Sequence, residues 1–366
     1  MTRFLQDILR QPDELRRVID HLTYGAGREL LESAASVIRR ARHVYVTGIG
    51  ASWNAALSAG AFFHSGGRPV YMLDAAELLV FSKIVPGSVI LALSRSGRSI
   101  EIVKLLAKAR ETGAIVIGIT NFEDGPLARE ADIPVVIPVK ADHGISVNTY
   151  SALALTAAAM ASAVVSSFDA NLAAALSLYI VETAKKISDW QQQLAHTSWL
   201  VPGAPYYFLA RGSSLASAYE AGLLWQEGAK SPATAMGTGS FRHGPQEIVT
   251  TDTHFAVWID GEQMRKQDLA VTHDLRKVGA SVMLIGHDLS KGAGDLVFQL
   301  PQAPQNWQFL TDVFPAQLAV ERLAQLSSVN CDSFRFASYI VDGDDGLLPN
   351  GVVPSMSVKS TLAERD

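Results

Sequence analysis

The sequence is poor in cysteine. Among its 366 residues there is one cysteine, Cys331, so no disulfide can form within the chain and no cysteine cluster can hold a metal ion. The sequence also lacks the His-Glu-x-x-His pattern and comparable metal-ligand spacings, and we expect no metal or other cofactor. Its first residues lack the basic start and apolar core of a signal peptide, so we expect a cytoplasmic protein.

The sequence also has little excess charge of either sign. A net charge of −5 offers no basic surface to nucleic acid or to an anionic membrane. One stretch without charged residues, 144–168, is long enough to span a bilayer. It consists mostly of Ala, Ser and Thr and includes Asn148 and Tyr150, so we interpret it as a buried, tightly packed helix and expect no membrane partner.

Short apolar runs alternate with helical patterns along the chain. The runs in the first half that indicate strands cover residues 44–47, 69–73, 88–93, 115–119 and 134–138. This alternation is typical of a parallel sheet with helices on both faces. An amphipathic segment, residues 4–22, precedes the first strand, and Gln11-Pro12 within it predicts helix, turn, helix.

The second half repeats the first. Gly212 and Ser214 each stand 162 positions after Gly50 and Ser52. A period this long indicates a domain duplication. The sequence therefore predicts an α/β protein with two tandem doubly wound, flavodoxin-like parallel-sheet domains. We expect N-terminal helices over residues 1–28, a first domain over 29–197, a second over 198–345 and a C-terminal tail over 346–366.

A serine-rich turn, Ser94-Arg-Ser-Gly-Arg-Ser99, joins the third predicted strand to a helical segment over 100–112. A helix N-terminus presents unpaired N–H groups and the positive end of its dipole. The three serine hydroxyls add donors, and Gly97 permits close approach of the backbone. This chemistry suits a phosphate monoester. An ordinary turn with Ser99 as the N-cap explains the same residues, and the stretch alone does not separate the two interpretations.

Two other turns bear on phosphate binding. Gly48-Ile-Gly50 resembles a dinucleotide-binding turn, with Asp74 as the ribose ligand, but Trp53 replaces the third glycine and would crowd the helix against the strand. Nicotinamide binding is therefore not expected. The second-half strand that corresponds to 88–93 is followed by Asp260-Gly-Glu262, which repels phosphate. We expect one phosphate site per chain, in the first half.

Acid–base chemistry has three candidates in the second half. Glu220 and Glu227 lie seven apart, on one face of a helical segment, and His243 follows within Arg-His-Gly-Pro. A carboxylate and an imidazole can open a sugar ring and move a proton between C1 and C2. Most single Glu and His residues are solvated or structural, and we assign Glu220 to structure.

The tail contains one further candidate, Lys359. Its apolar neighbours indicate that the tail packs against the protein. A partly desolvated lysine has a lowered pKa and can form a Schiff base with a keto sugar. An exposed tail lysine is the alternative interpretation.

Together these features resemble the sugar isomerase (SIS) family, and in particular the isomerase half of glucosamine-6-phosphate synthase, over essentially the whole chain. The motifs that carry the resemblance occur in order: Gln6–Pro12, Gly50-Ala-Ser52, Ser94–Ser99, Glu220 with Glu227, His243-Gly-Pro245, and Pro354 with Lys359, Ser360 and Glu364.

The resemblance implies a role for each candidate. Glu227 would carry the proton between C1 and C2, His243 would open the ring, and Lys359 would be the Schiff-base lysine. The implied phosphate ligands are Ser52, Ser94, Ser96 and Ser99, joined by Arg95, and the sugar contacts are Ala51, Asn148, Thr149 and Val358. In the family the histidine comes from the neighbouring subunit, which implies a homodimer with shared active sites.

Three departures from the synthase matter. We expect its glutaminase half to be missing, because Met1-Thr2 stands where the cysteine nucleophile would be. Arg95 and Arg98 replace Gln and Glu, so the phosphate loop is more basic and suits a more tightly bound or a more anionic ligand. Leu224 replaces a lysine one turn before the catalytic glutamate, which argues against synthase-type chemistry.

The expected function is that of a cofactor-free enzyme of amino-sugar metabolism that acts on a hexose 6-phosphate. It either isomerises an aldose to a ketose or deaminates glucosamine 6-phosphate to fructose 6-phosphate and ammonia. A deglycase of sugar-amine 6-phosphate adducts and a non-catalytic sugar-phosphate sensor are the alternatives. A sensor has no use for Glu227, His243 and Lys359 together, and the acidic N-terminal helices offer no helix for DNA recognition.

Overall fold

The computed structural model describes residues 1–336, 340–343 and 346, which form two five-stranded parallel sheets surrounded by helices. In each sheet the strands lie in the order second, first, third, fourth, fifth, counted along the chain from the start of that sheet. This order is the flavodoxin-like, doubly wound arrangement. The predicted fold class of two tandem doubly wound α/β units is confirmed.

The first sheet follows two N-terminal helices. The elements of this part are α1 (Arg3–Thr23), α2 (Gly25–Arg40), β1 (Val44–Thr47), α3 (Ala51–Ser65), β2 (Tyr71–Met72), a π-helical turn (Glu77–Phe81), β3 (Val89–Leu93), α4 (Ile100–Thr112), β4 (Ile115–Thr120), α5 (Pro126–Glu130) and β5 (Ile133–Val136). The helices that lead to the second sheet are α6 (Asn148–Val165), α7 (Ala170–Ala184) and α8 (Ile187–His196).

The second sheet repeats this strand pattern. Its elements are β6 (Tyr206–Ala210), a 3₁₀ turn (Gly212–Ser214), α9 (Leu215–Glu227), β7 (Ala233–Gly237), α10 (Thr238–Phe241), a second 3₁₀ turn (Pro245–Ile248), β8 (His254–Trp258), α11 (Arg265–Val278), β9 (Ser281–Gly286), β10 (Leu296–Gln299), α12 (Phe309–Asp312) and α13 (Phe314–Leu326).

Strand register shows which residues of the two units correspond. Thr47 of β1 lies opposite Ala92 of β3, and Leu209 of β6 lies opposite Val257 of β8. Six residues lead from β3 to α4, and six lead from β8 to α11. The loops at 94–99 and 259–264 therefore occupy the same position in the two sheets.

The N-terminal segment differs from its predicted helix-turn-helix form, because α1 is one continuous helix with Pro12 inside it. Proline removes the backbone donor that would reach the carbonyl of Ile8. The side-chain amide of Gln11 donates to that carbonyl instead, at 3.4 Å. Local replacement of the lost hydrogen bond allows the helix to continue through proline.

The apolar helix α6 lies in the core, as the sequence indicated. It is long and apolar enough to cross a membrane by length and composition, yet 83% of it is buried inside the protein. The same hydrophobic core includes residues of both sheets. Small side chains on α6, such as Ala157 and Ala158, allow neighbouring helices to pack closely against it.

Candidate active site

A cavity of about 340 Å³ lies at the carboxyl edge of the first sheet, beyond the ends of β1 and β3. These two strands flank the point where the strand order reverses, which is where open parallel sheets bind ligands. The cavity is lined by Ile49, Gly50, Ala51, Ser52, Arg95, Ser96, Ser99, Glu101, Ser146, Glu227, Phe334, Ile340 and Val341. The structure therefore brings together six of the residues predicted from sequence: Ala51, Ser52, Arg95, Ser96, Ser99 and Glu227.

The turn after β1 gives Ser52 its position. Gly50 has a φ of +56°, a conformation that favours glycine, and α3 begins directly after it. Ser52 is 6% exposed, and its Oγ accepts the backbone N–H of Arg95 at 3.2 Å. This hydrogen bond joins the β1 turn to the serine loop, so both turns form one wall.

Two hydroxyls of the serine loop accept hydrogen bonds from the loop's own backbone. The N–H of Gly97 donates to Ser94 Oγ at 3.1 Å, and the N–H of Arg98 donates to Ser96 Oγ at 3.1 Å. A hydroxyl that accepts an N–H keeps its own proton to donate elsewhere. Ser96 lines the cavity, whereas Ser94 is 1% exposed and lies behind the wall.

The N-terminus of α4 faces the cavity. Ser99 is the residue before the helix, but its side chain makes no capping hydrogen bond. The N–H of Ile100 donates to the carbonyl of Val341 at 3.1 Å, so a C-terminal segment of the chain crosses this helix end. Ile340 and Val341 thereby become part of the cavity wall.

Glu227 and Arg95 both line the cavity and influence each other electrostatically. Burial raises the pKa of Glu227 to about 7, and the positive charges of Arg95 and Lys230 oppose the shift. The guanidinium of Arg95 is held by a hydrogen bond from Nη1 to the carbonyl of Gly144 at 2.9 Å. A carboxyl group with this pKa can both accept and donate a proton near neutral pH.

Glu220 lies two helical turns before Glu227 and is fully buried. Its Oε2 accepts a hydrogen bond at 3.0 Å from Nδ2 of Asn54, a residue of α3 far away in sequence. Burial raises the pKa of Glu220 well above its usual value, and the hydrogen bond from Asn54 opposes the shift. Glu220 is not on the cavity wall, in agreement with its assignment to structure.

Two expected sugar contacts, Asn148 and Thr149, are not among the residues that line the cavity. Asn148 and Thr149 are buried at the start of α6, where their side chains donate to the carboxylate of Asp142 at 2.8 and 2.5 Å. Asp142 also accepts their backbone N–H groups, so it fixes the N-terminus of α6. Ser146, which the sequence analysis did not name, takes a place on the wall instead. Thr149 lies directly behind the wall, because its hydroxyl shares a hydrogen bond of 2.7 Å with that of Ser146.

The remaining candidates lie elsewhere. His243 is exposed in the loop before the second 3₁₀ turn and is absent from the wall of the cavity that holds Glu227 in the same chain. Lys359 and Val358 lie outside the described residues. Within the part of the chain that the structure describes, no group of three or more His, Cys, Asp or Glu is placed to hold a metal ion.

Gly97 supports the serine loop and provides a test of its rigidity. Its φ is +65°, and a Cβ there would lie 3.0 Å from Cβ of Leu127. Gly113, at the end of α4, has a φ of +66° but open space around it. We expect Gly97→Ala to lower the free energy of unfolding by about 2–3 kcal/mol and Gly113→Ala by only about 1 kcal/mol. Equal losses in chemical denaturation would contradict the close contact with Leu127.

Comparison with known proteins shows which proteins this chain resembles. Residues 37–165 match the family model of the SIS domain. The protein is similar to the isomerase half of glutamine–fructose-6-phosphate aminotransferases. It is 27% identical over 354 residues to the isomerizing aminotransferase 1 of Arabidopsis thaliana, with 90% of this chain and 52% of the relative covered. The chain thus spans about half the length of the curated relatives it matches.

Two solved structures share the fold over nearly the whole chain. The C-terminal domain of the aminotransferase from Francisella tularensis aligns with a TM-score of 0.79 at 18% identity, covering 90% of this chain and 98% of that one. A glucosamine-6-phosphate deaminase from Thermotoga maritima aligns with a TM-score of 0.75 at 20% identity, covering 93% and 99%.

Proposed function

We propose that this protein is a phosphosugar isomerase or deaminase that acts on a hexose 6-phosphate, with glucosamine 6-phosphate as the first substrate to test. The proposal rests on one observation: a single cavity combines serine hydroxyls beside Arg95 with a carboxyl group, Glu227, whose pKa is about 7. Hydroxyls and a guanidinium suit a phosphate, and such a carboxyl suits proton transfer. The similarity to aminotransferases and to a deaminase supports the same class of substrate.

The proton transfers follow from the chemistry of the open-chain sugar. Its C1 is an aldehyde, and its C2 carries the amine. The Glu227 carboxylate removes the hydrogen of C2 as a proton and returns it to C1, while one proton moves from nitrogen to O1. The product is an imine at C2. Water adds to this imine and ammonia leaves, which gives fructose 6-phosphate and ammonia in equal amounts.

The same proton transfers explain the isomerase alternative. With a hydroxyl at C2, the proton that moves to O1 comes from that hydroxyl, and a ketone forms directly. No group leaves, so an aldose and a ketose interconvert. The cavity residues that carry the proposal are the same for both reactions, and the substituent at C2 decides which one occurs.

The proposal includes a second subunit. His243 is exposed and is not on the Glu227 cavity wall of its own chain. In a homodimer with shared sites, His243 would open the sugar ring in the partner's cavity. Lys359 would act as the Schiff-base lysine. We place this homodimer in the cytoplasm.

Ammonia release from glucosamine 6-phosphate is the experiment that tests the proposed function. Equal amounts of ammonia and fructose 6-phosphate are expected from a deaminase. Interconversion of hexose 6-phosphates without ammonia identifies an isomerase. If neither occurs, sugar-amine 6-phosphate adducts should be tried, and their cleavage would indicate the deglycase. Tight binding of sugar phosphates without turnover would overturn the enzyme proposal in favour of a sensor.

A further inference from the structure

A second and larger cavity, of about 580 Å³, lies at the carboxyl edge of the second sheet. Its walls come from the C-terminal half of α3, from the turn after β6 and from the loops after β8, β9 and β10. None of its lining residues lines the cavity that contains Glu227. It is therefore a separate place in the fold, at the same topological position as the first cavity.

The strand registers of the two sheets show which residue of the second cavity corresponds to Arg95 of the first. Because Ala92 corresponds to Val257, Arg95 corresponds to Asp260. Arg95 lines the first cavity, and Asp260 lines the second. A guanidinium in one unit is thus replaced by a carboxylate in the other.

The serine hydroxyls of the first loop have no counterparts in the second. By the same correspondence, Ile259, Gly261 and Met264 take the places of the loop serines. The turn serine Ser214 is retained, but its hydroxyl donates to the buried carboxylate of Asp312 at 2.6 Å. Its proton is therefore already used, and the loop after β8 offers no serine hydroxyl to a phosphate.

Arg211, on the wall of the second cavity, is paired with a buried carboxylate. The Nε of Arg211 donates to Oδ1 of Asp268 at 2.7 Å, and Asp268 is fully buried. Another guanidinium nitrogen of Arg211 donates to the side chain of Gln267 at 2.5 Å. This arrangement ties the guanidinium to the start of α11.

Acceptors of hydrogen bonds are plentiful on the wall. The carboxylates of Asp260 and Glu262 each accept one hydrogen bond, from the N–H of Met264 at 2.6 Å and from Gln305 at 2.9 Å, and each carboxylate has further lone pairs. Behind Ser214, the second oxygen of Asp312 is buried without a hydrogen-bond partner among the described residues. Amide side chains add groups that can pair with hydroxyls: Gln263, Gln302, Asn306 and Gln308.

We propose that the second cavity binds a small hydroxylated amine without a phosphate group, held through its ammonium by Asp260. The reversal of charge at this position and the loss of the serine donors exclude the ligand class that suits the first cavity. A charge-assisted hydrogen bond to a carboxylate is about twice as strong as a neutral one, so the ammonium contributes more than a hydroxyl at the same place. This inference concerns a different site from the proposed function and does not depend on it.

Calorimetric titration with D-glucosamine, D-glucose and glucosamine 6-phosphate tests the inference. D-glucosamine should bind one site per chain at least about tenfold more tightly than D-glucose. Asp260→Asn should weaken D-glucosamine binding by about tenfold, because a charge-assisted hydrogen bond is replaced by a neutral one. Asparagine can still accept the N–H of Met264, so the loop should keep its form. Asp252→Asn, which removes an exposed carboxylate from the same unit, is the matched control and should bind like the unaltered protein.

A second variant, Glu262→Gln, changes an exposed residue and keeps the inference testable if Asp260→Asn does not fold. Binding of D-glucosamine should weaken in this variant too, by a smaller factor. Absence of D-glucosamine binding to the unaltered protein would overturn the inference. Equal binding of D-glucose, or unchanged affinity in both variants, would do the same. Ammonia release from glucosamine 6-phosphate should be unaffected by Asp260→Asn, which separates this result from that of the first site.

Discussion

Replacement of Glu227 by glutamine is expected to lower turnover of the active hexose 6-phosphate by about 10²–10⁴-fold, the usual contribution of a positioned acid–base group. Glutamine keeps the size of the side chain but cannot accept the hydrogen of C2 as a proton. The effect should fall on kcat, with little change in KM, since the phosphate contacts come from other residues. Glu111→Gln removes an exposed carboxylate from α4 and serves as the control with full activity.

The pH dependence follows from the raised pKa of Glu227. The carboxylate is the form that removes the proton from C2, so kcat/KM should rise as the pH passes through about 7. Glu227→Gln should lose this limb of the profile. A rise centred near the ordinary pKa of this glutamate, 4.5, would contradict the buried site described here.

The same variant should gain stability at alkaline pH. Because the pKa of Glu227 is higher in the folded protein than its ordinary value of 4.5, its contribution to stability is present below pH 4.5 and is lost as the pH rises through about 7. Glu227→Gln removes this loss. The free energy of unfolding of the variant should exceed that of the unaltered protein by about 2–3 kcal/mol at pH 8 and should show no such excess at pH 4.5.

Mixing two inactive variants should restore activity if active sites are shared between subunits. Glu227→Gln and His243→Asn would each inactivate both sites of their own homodimer. In a mixed dimer, one site combines the intact Glu227 of one subunit with the intact His243 of the other. After subunit exchange, half of the dimers have one working site, so roughly a quarter of the original activity should return.

The pairing of Glu227→Gln with Arg95→Ala is the matched control. Arg95 and Glu227 line the same cavity of one chain, so no mixed dimer of these variants contains an intact site. This mixture should stay inactive. Recovery in the control, or no recovery with His243→Asn, would contradict a site completed by the histidine of a second subunit.

The composition of the turns that follow the strands explains why much of the cavity could be predicted from sequence. Serine-rich turns after apolar strands indicate where side chains collect, and parallel sheets bring successive turns to one edge. Ser52, Ser96 and Ser99 therefore meet as expected. Glu227 could be found for a similar reason, since it lies on the helix that follows the repeated glycine turn.

Long-range contacts explain what the sequence did not predict. Nothing in the local pattern shows that Asp142 captures Asn148 and Thr149, because that choice depends on how the loop before α6 folds. The contribution of Ile340 and Val341 depends on a C-terminal segment reaching α4. The break predicted at Pro12 was wrong because of a local contact. The side chain of Gln11 replaces the backbone hydrogen bond that proline removes, and α1 continues.

Helix α3 connects the two cavities physically. Its first residues, Ala51 and Ser52, line one cavity, and its last residues, His64 and Ser65, line the other. At 1.5 Å per residue, this helix is about 22 Å long. A displacement along its axis would be transmitted from one cavity to the other. Any resulting change in affinity must be reciprocal. If a ligand in the second cavity changes the affinity for a sugar phosphate, the sugar phosphate changes the affinity for that ligand by the same factor.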